Sequence, residues 1–268
     1  MIYHSKQSTV QISDTALKYI AFGKGTQPLI MIQGLNTNGI GGAADSLAFA
    51  YRLFAKDFRV YLFDRRPDVW ESITVRDLAN DIAAAMDALH LRSACVLGVS
   101  QGGMIAQHLA IDRPDLVGKL VLAVTLCENN DTVTDAIRTW IRLTEQKDFK
   151  ALVADMAERM YSPAYLKRYK PFLPLLTLMQ TPKDTARFVT LAKSCLTCDT
   201  RAQLSQLTCP TLVIGGAQDK VVGEHSAKQL ADAIGCPLHL YPDLGHAAYE
   251  EAKDFNQIVY DFFMNDRA

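Results

Sequence analysis

Short apolar segments alternate with helix-forming segments along most of this chain, and this alternation restricts the fold more than any other feature. Six of the apolar segments are nearly continuous runs, at 28–34, 58–64, 93–100, 118–126, 210–216 and 237–243. Such runs are typical of parallel strands in a sheet that helices cover on both faces. Helical segments separate most of them, at about 43–56, 74–90, 101–111, 223–234 and 247–264. The pattern predicts a doubly wound α/β fold, in which crossover helices join parallel strands.

Two segments with alternating apolar and polar residues precede the first run. STVQISD at 8–14 and ALKYIAFGKG at 16–25 are joined by a short turn region. Alternation of this kind around a turn predicts an antiparallel pair of strands. With the six runs, this pair gives a mostly parallel, eight-stranded sheet flanked by helices. Thr74 is a candidate N-cap for the second helical segment, with Asp77 in its first turn.

Residues 127–206 interrupt the alternation, because they contain helix-like segments and no convincing strand. An excursion of this size between two core strands is too long for a plain loop. Extra helices on the outer face would explain it. We favour a cap over the carboxyl-terminal edge of the sheet, because the insertion leaves from that edge and ligands of open α/β sheets bind there. The predicted organisation is a core of 1–126 and 207–268, with a helical cap of 127–206 inserted after strand 6.

The segment VLGVSQGGMIAQ, residues 96–107, places Ser100 between a buried strand and a helix. In a strand–turn–helix this tight, the apex residue is strained and the residues two before and two after it must be small. Gly98 and Gly102 meet this demand. G-x-S-x-G alone is a common loop pattern, but in this context it predicts an exposed nucleophile. The first amides of the helix point to the same place, so the Gln101 N–H is expected to donate to an oxyanion.

A serine hydroxyl is a poor nucleophile unless an oriented base activates it. Asp219 follows the strand PTLVIGG and His246 follows PLHLYPD, so both are expected at the same sheet edge as Ser100. Singly, Asp219 is typical of a turn and His246 of a helix start, but together they give the order Ser, Asp, His of a catalytic triad. The nearest rival carboxylates are Asp243 and Glu224. The other histidines lie in helices, in a strand or at the terminus: His4, His90, His108, His225 and His239.

On these motifs the chain resembles the α/β-hydrolase superfamily over essentially its whole length. It is most similar to the small capped esterases and lactonases, such as 3-oxoadipate enol-lactonase-like proteins. The matching motifs are GVSQGG at 98–103, IGGAQDKVV at 214–222, DLGHAA at 243–248 and QGLNTN at 33–38. The resemblance implies an α/β-hydrolase fold with a triad of Ser100, Asp219 and His246. It also implies an oxyanion hole made by the backbone amides of Leu35 and Gln101.

Two motifs depart from the family pattern. Gln33 stands where the family usually has histidine, a change that leaves the backbone donor of Leu35 in place. After the fourth strand the family often shows Asp-x-Arg-Gly-x-Gly-x-Ser, whereas this chain has DRRPDVWES at 64–72. Asp64 and Arg66 match this motif and the glycines do not. Because this loop is altered, the route by which substrate enters the site stays open. The predicted chemistry does not depend on the loop.

The predicted reaction is hydrolysis of a small to medium carboxylic ester or lactone through an acyl-enzyme. Asn36, Met104, Cys127 and Trp140 are candidate pocket residues, although core packing explains Met104 and Trp140 at least as well. The segment 147–170 carries many Lys and Arg residues. A solvated helix face is the usual explanation of such a segment, and a carboxylate-bearing substrate is an alternative.

Three other functions remain open at this point. The first keeps the triad but hydrolyses a C–C bond next to a carbonyl, as in meta-cleavage product hydrolases. The second is a non-catalytic ligand receptor on the same fold, and the third is a thioesterase or acyltransferase. Serine at position 100, between the strand and the helix, argues against haloalkane dehalogenase and epoxide hydrolase chemistry. Enzymes of these two classes on this fold use aspartate at that position.

Composition narrows the range of partners. The net charge is −1, so no overall field attracts nucleic acid or acidic lipid. The first residues lack the apolar region of a signal peptide, and no apolar run reaches the length of a membrane span. Cys195 and Cys198 form a CxxC pair, but without a second pair they are interpreted as small buried thiols. We therefore expect a cytoplasmic protein with a small-molecule substrate, no metal, no cofactor, and no nucleic-acid or membrane partner. The sequence leaves the oligomeric state open, a homodimer included.

Overall fold

The computed structural model describes residues 2–169 and 173–265 of the chain. Within these residues, eight strands form one sheet with helices on both faces. The strands are β1 (Lys6–Ile12), β2 (Thr15–Phe22), β3 (Gln27–Ile32), β4 (Phe58–Phe63), β5 (Ala94–Val99), β6 (Val117–Ala123), β7 (Thr211–Gly216) and β8 (Leu238–Tyr241). The helices are α1 (Ala44–Ala50), α2 (Val75–Ala88), α3 (Gln101–Asp112), α4 (Asp131–Glu145), α5 (Phe149–Met160), α6 (Pro163–Tyr169), α7 (Leu173–Gln180), α8 (Thr185–Cys195), α9 (Ser226–Ile234), α10 (Ala248–Glu251) and α11 (Phe255–Met264).

The strand order across the sheet is β1-β2-β4-β3-β5-β6-β7-β8. β2 pairs antiparallel with both β1 and β4, and every later pair is parallel. This arrangement confirms the predicted mostly parallel sheet and its antiparallel start. From β3 the chain moves to one side, to β4, and then crosses to β5 on the other side of β3. The carboxyl ends of β3 and β5 therefore meet at a topological switch point, where open α/β sheets bind ligands.

β5 shows why the sheet needs helices on both faces. All six of its residues are buried. Because successive side chains point to opposite faces, Ala94 and Val96 join the cluster that contains α2 and α3. Leu97 and Val99 join the cluster that contains α1 and α11. A strand that is apolar on both faces is stable only between two helical layers, and it ends directly at Ser100.

Several helix boundaries follow the predictions, and two predicted helices are interrupted. Thr74 caps α2, and its side chain and that of Asp77 form a reciprocal capping box. The helix predicted over 43–56 ends at Ala50 and is followed by a short 3₁₀ turn, because Tyr51 leaves the helical region. The helix predicted over 247–264 divides into α10 and α11, because Ala252 has extended backbone. Periodicity does not detect one extended residue inside an apolar pattern.

In its described residues, the segment between β6 and β7 is helical, as expected. It contains α4 to α8, a 3₁₀ helix at Arg201–Gln206 and one isolated bridge between Glu128 and Asp199. These helices contact the loops at the carboxyl-terminal edge of the sheet. The Gln101 side-chain amide donates to the Leu191 carbonyl of α8 at 2.8 Å. The Ala247 N–H donates to the carbonyl of Met160 in α5 at 2.8 Å. In the described part of the chain, no helix has the length and apolar character needed to cross a membrane.

Candidate active site

Ser100 occupies the turn between β5 and α3 in a backbone conformation that L-residues rarely adopt, with φ 55° and ψ −120°. The glycines on either side are required by close approach. A Cβ on Gly98 would lie 2.6 Å from the carbonyl oxygen of Gly102. A Cβ on Gly102 would lie 1.9 Å from the carbonyl oxygen of Ile32, at the end of β3. The two glycines therefore allow the turn to form and let α3 start directly beside β3.

The strain at Ser100 predicts a difference in stability between two variants that both lack the hydroxyl. Glycine adopts positive φ at no steric cost, whereas alanine does not. We expect Ser100→Gly to be more stable than Ser100→Ala by about 1 kcal/mol. Urea unfolding of the two variants measures this difference in unfolding free energy. Because both variants lack the hydroxyl, its loss does not contribute to the difference. Equal unfolding free energies would show that the turn stores no backbone strain.

Asp219, His246 and Ser100 form one continuous hydrogen-bonded chain. Asp219 Oδ2 lies 2.8 Å from His246 Nδ1, and His246 Nε2 lies 2.9 Å from Ser100 Oγ. The second oxygen of Asp219 accepts from the amides of Val221 and Val222, at 2.8 and 2.9 Å. Asp219 and His246 are both buried. The carboxylate is thus fixed by two backbone donors and directs its free oxygen at the imidazole.

The loops after β7 and β8 hold His246 in place. The Gln218 N–H donates to the carbonyl of Leu244 at 2.9 Å, which joins the two loops. A Cβ on Gly216, the last residue of β7, would lie 2.3 Å from the carbonyl oxygen of Gly245. The glycine at 216 therefore permits the histidine loop to approach the end of β7.

The two predicted oxyanion donors belong to two different segments next to Ser100. Leu35 belongs to the segment 33–38 after β3, which is called the oxyanion loop below. A Cβ on Gly34 would lie 3.2 Å from Ser100 Cβ, so this loop passes directly beside the serine. Gln101 is the first residue of α3. The amides of a first helical turn have no acceptor within the helix and are available to a ligand.

A buried arginine, which the sequence did not single out, lies behind these donors. Arg65 Nη2 donates to the carbonyl of Gln33, and Arg65 Nε donates to Gln101 Oε1 at 3.3 Å. Among the described carboxylates, none forms an ion pair with this guanidinium. Its burial lowers the pKa of Arg65 to about 10, so it remains charged at neutral pH. One cation therefore touches both segments that carry the predicted donors.

A family model for the α/β hydrolase fold matches residues 27–253. The chain belongs to the α/β-hydrolase family. It is 26% identical over 268 residues to 3-oxoadipate enol-lactonase 2 of Acinetobacter baylyi, with 96% of each chain covered. It is also 26% identical over 253 residues to a 2-hydroxy-6-oxononadienedioate/2-hydroxy-6-oxononatrienedioate hydrolase of a Pseudomonas species, with 90% of this chain and 89% of the relative covered. These relatives confirm that the protein is an enzyme of the hydrolase class.

Solved structures show the same fold. MGS-M2, an α/β hydrolase enzyme from a Medee basin deep-sea metagenome library, superposes with a TM-score of 0.87 at 21% identity, covering 96% of this chain and 98% of the other. The enol-lactonase from Burkholderia xenovorans LB400 superposes with a TM-score of 0.83 at 21% identity, covering 96% and 100%. The α/β-hydrolase fold predicted from the sequence is therefore confirmed.

Asp64 and Arg66, the two residues that match the family pattern after β4, each contact other parts of the hydrolase chain. The Asp64 carboxylate accepts from the Ile40 amide at 3.2 Å and from the Arg65 amide at 2.8 Å. Arg66 forms ion pairs with Asp14 and Asp81. Asp64 thus anchors the chain just beyond the oxyanion loop, whereas Arg66 joins the antiparallel start of the sheet to α2.

Two cavities of the hydrolase adjoin the oxyanion loop. The larger cavity, of about 520 Å³, lies on the α1 and α11 side and includes Gly34, Leu35 and Val99 in its wall. The smaller cavity, of about 230 Å³, lies between the oxyanion loop and α5. Four residues line both: Leu35, Asn36, Tyr249 and Glu250.

Of the four predicted pocket residues, only Asn36 lines these two cavities. Met104, Cys127 and Trp140 line neither of them and are buried in the main hydrophobic cluster. Met104 belongs to α3, whose residues from Gln101 to Ile111 are all buried. The Trp140 indole N–H donates to Asp155 at 2.8 Å, which orients the ring within the helical layer. Burial in this cluster favours core packing, the alternative considered for Met104 and Trp140.

The CxxC pair is buried and belongs to the core. Burial raises the pKa of the Cys195 thiol to about 12 and raises that of Cys198 further. The Gln101 side-chain amide donates to Cys195 Sγ at 3.3 Å. Within the described residues, no three His, Cys, Asp or Glu side chains converge as metal ligands would. Cys195 therefore contributes to the packing of α8 against Gln101.

Proposed function

We propose that this hydrolase cleaves a small to medium carboxylic ester or lactone through a triad of Ser100, His246 and Asp219. The observation that carries the proposal is the unbroken hydrogen-bonded chain from Asp219 through His246 to Ser100 Oγ. A neutral imidazole with its proton on Nδ1 donates to Asp219 and accepts the serine proton at Nε2. This arrangement is what a nucleophilic serine needs.

The reaction then follows in two halves. Ser100 Oγ attacks the carbonyl carbon while His246 takes its proton, and the tetrahedral intermediate collapses when His246 protonates the leaving alkoxide. Water attacks the acyl-enzyme with His246 again as base, and the acid leaves with Ser100 restored. Asp219 stays ionised and stabilises the imidazolium in both halves.

The amides of Leu35 and Gln101 are proposed to bind the oxyanion of the tetrahedral intermediate. Loss of one such donor typically lowers the rate by about 100- to 1,000-fold. The Gln101 amide adds the positive end of the α3 dipole, since it stands at the helix start. Gln33 contributes its backbone carbonyl to Arg65, so its side chain is not needed for this role.

We also propose that residues 127–206 act as a cap over a core of 1–126 and 207–268. Helix α5 of this segment supplies one wall of the smaller cavity. Helix α8 accepts a hydrogen bond from the side chain of Gln101. All six cysteines are free thiols, which fits a reducing, cytoplasmic location.

Labelling with a fluorophosphonate probe tests the triad directly. Wild type is expected to be labelled and to hydrolyse p-nitrophenyl butyrate, and Ser100→Ala to do neither. The matched control is Ser194→Ala, which removes a buried hydroxyl close to Gln101 and leaves the nucleophile in place. Folded wild type without labelling or turnover would reject the triad assignment and favour a ligand receptor on this fold.

A second reaction with the same triad is hydrolysis of a C–C bond next to a carbonyl. It is favoured by the Pseudomonas relative, whose name states a nonadienedioate substrate. Product analysis with a 2-hydroxy-6-oxo-dienoate separates the two reactions. Cleavage of the dienoate at a rate above that of every ester tested would replace ester hydrolysis as the function.

A further inference from the structure

The described walls of the two cavities contain one charged side chain. This side chain is Glu250, which lines both the larger and the smaller cavity. The other described wall residues are apolar, or polar and neutral, such as Asn36 and Gln180. No Lys, Arg or His residue is among them. The space beside the oxyanion loop is therefore bounded by a negative charge without a described cation opposite it.

Glu250 lies four residues after His246 in the chain, and its carboxylate accepts a hydrogen bond from a tyrosine. It belongs to α10, which begins two residues after His246. The Tyr161 hydroxyl, beyond the end of α5, donates to Glu250 Oε2 at 2.6 Å. Glu250 itself is exposed, so its carboxylate is accessible to a ligand. A solely structural role would need the contact with Tyr161 but not the opening to both cavities.

The tyrosines around Glu250 do not offset its charge. Burial, with the charge of Glu250 as a second cause, raises the pKa of Tyr51 to about 12. Burial likewise raises the pKa of Tyr249 well above its usual value. Both phenols therefore remain neutral hydrogen-bond donors at ordinary pH.

The described basic residues of the segment 147–169 do not line either cavity. The described residues of this segment that line a cavity are Val153, Met156, Ala157, Met160 and Tyr161, and none is basic. Arg159 instead forms ion pairs with Asp135 and Asp155. A carboxylate-bearing substrate, which the sequence left open on the basis of these charges, thus has no described basic partner in the cavities.

We propose that Glu250 makes this enzyme select neutral or cationic esters and lactones and reject substrates with a carboxylate near the scissile carbonyl. The inference rests on the proposed ester hydrolysis and names the substrate class for the same site. Two like charges several ångströms apart at a partly solvated site change a binding constant by about 3- to 30-fold. Part of this effect is expected to disappear as salt is added, because Glu250 is exposed.

Three p-nitrophenyl esters with equal spacing test the proposal. Each has three methylene groups after the carbonyl, and they end in a methyl group (pentanoate), a carboxylate (the glutarate monoester) or a trimethylammonium group. In Glu250→Gln, the kcat/KM ratio of glutarate monoester to pentanoate is expected to rise by about 3- to 30-fold over wild type. The ratio of the trimethylammonium ester to pentanoate is expected to fall. The glutamine keeps an oxygen that can accept from Tyr161.

Glu251→Gln is the matched control, because it removes the same charge one residue further along. Glu251 accepts from the Ser162 amide at 2.9 Å and does not line either cavity. Both ratios are expected to stay at their wild-type values in this variant. Unchanged ratios in Glu250→Gln, or an equal change in Glu251→Gln, would overturn the inference.

A binding measurement separates this inference from the proposed function. The three esters are titrated into Ser100→Ala by calorimetry, so that charge preference is measured without turnover. Tighter binding of the cationic than of the anionic ester supports the role of Glu250, even if wild type hydrolyses none of them. Equal or reversed affinities contradict it, whether or not the esters are hydrolysed.

Discussion

Replacement of Asp219 by asparagine is expected to lower kcat for a p-nitrophenyl ester by about 10⁴-fold. The asparagine oxygen can still accept from the amides of Val221 and Val222, so the loop keeps its shape. Its NH₂ group would then face His246 Nδ1 and donate to it. This hydrogen bond holds the imidazole with its proton on Nε2, where it can no longer accept the proton of Ser100. The variant thus loses the correct tautomer and not the fold.

Asp243→Asn is the control for this experiment. Asp243 is the rival carboxylate nearest to His246 in the sequence, and it is exposed. We expect kcat of this variant to remain within a factor of about two of wild type, as is usual for an exposed surface change. Steady-state kinetics and urea unfolding of both variants provide the comparison. If kcat falls as far in Asp243→Asn as in Asp219→Asn, Asp219 is not the carboxylate that specifically orients His246.

Most of the fold was predictable because it depends on local apolar pattern. A strand such as β5 is buried on both faces, so its sequence is apolar throughout and reports its own environment. The meeting of Ser100, Asp219 and His246 was predictable for a related reason: each follows such a strand, and parallel strands end at one edge. The interruptions at Tyr51 and Ala252 were missed, because backbone angles at single residues are set by tertiary contacts.

The site features that the sequence did not reveal depend on contacts between distant segments. Arg65 lies 32 residues from Gln33 and 36 from Gln101, and nothing in DRRP indicates which arginine contacts these two residues. Glu250 lines cavities whose other walls come from β3, α1 and α5. For Met104 the sequence does not decide between the core and a pocket, because a buried apolar residue four positions after Ser100 is compatible with both.

Arg65 is the residue for which these distant contacts predict the second large effect. Its guanidinium contacts the carbonyl of Gln33, two residues before Leu35, and the side chain of Gln101. It therefore sets the separation of the two segments that carry the proposed oxyanion donors. Arg187 of α8 donates to the Arg65 carbonyl at 3.0 Å, which fixes the backbone from the other side. Arg65 acts through these segments and is a positioning residue.

Arg65→Met keeps the aliphatic stem but loses the charge and both hydrogen bonds. A displacement of about 1 Å at a reacting group costs up to about 100-fold in rate. We expect kcat to fall by about 10- to 100-fold with little change in KM, since the donors act mainly on the transition state. Affinity for a trifluoromethyl ketone, which forms a tetrahedral adduct with the serine, should fall by the same factor. A role limited to stability would leave both quantities unchanged in the folded variant.

Arg66→Met is the matched control, because Arg66 is the adjacent arginine and is equally buried. Its ion pairs with Asp14 and Asp81 lie away from the oxyanion loop. This variant is expected to lower the free energy of unfolding but to retain kcat and ketone affinity. If instead both variants lose activity in proportion to their loss of stability, Arg65 has no positioning role. If only Arg65→Met loses ketone affinity, the buried guanidinium of Arg65 positions the oxyanion hole. It does so through the carbonyl of Gln33, the residue that stands where the family usually has histidine.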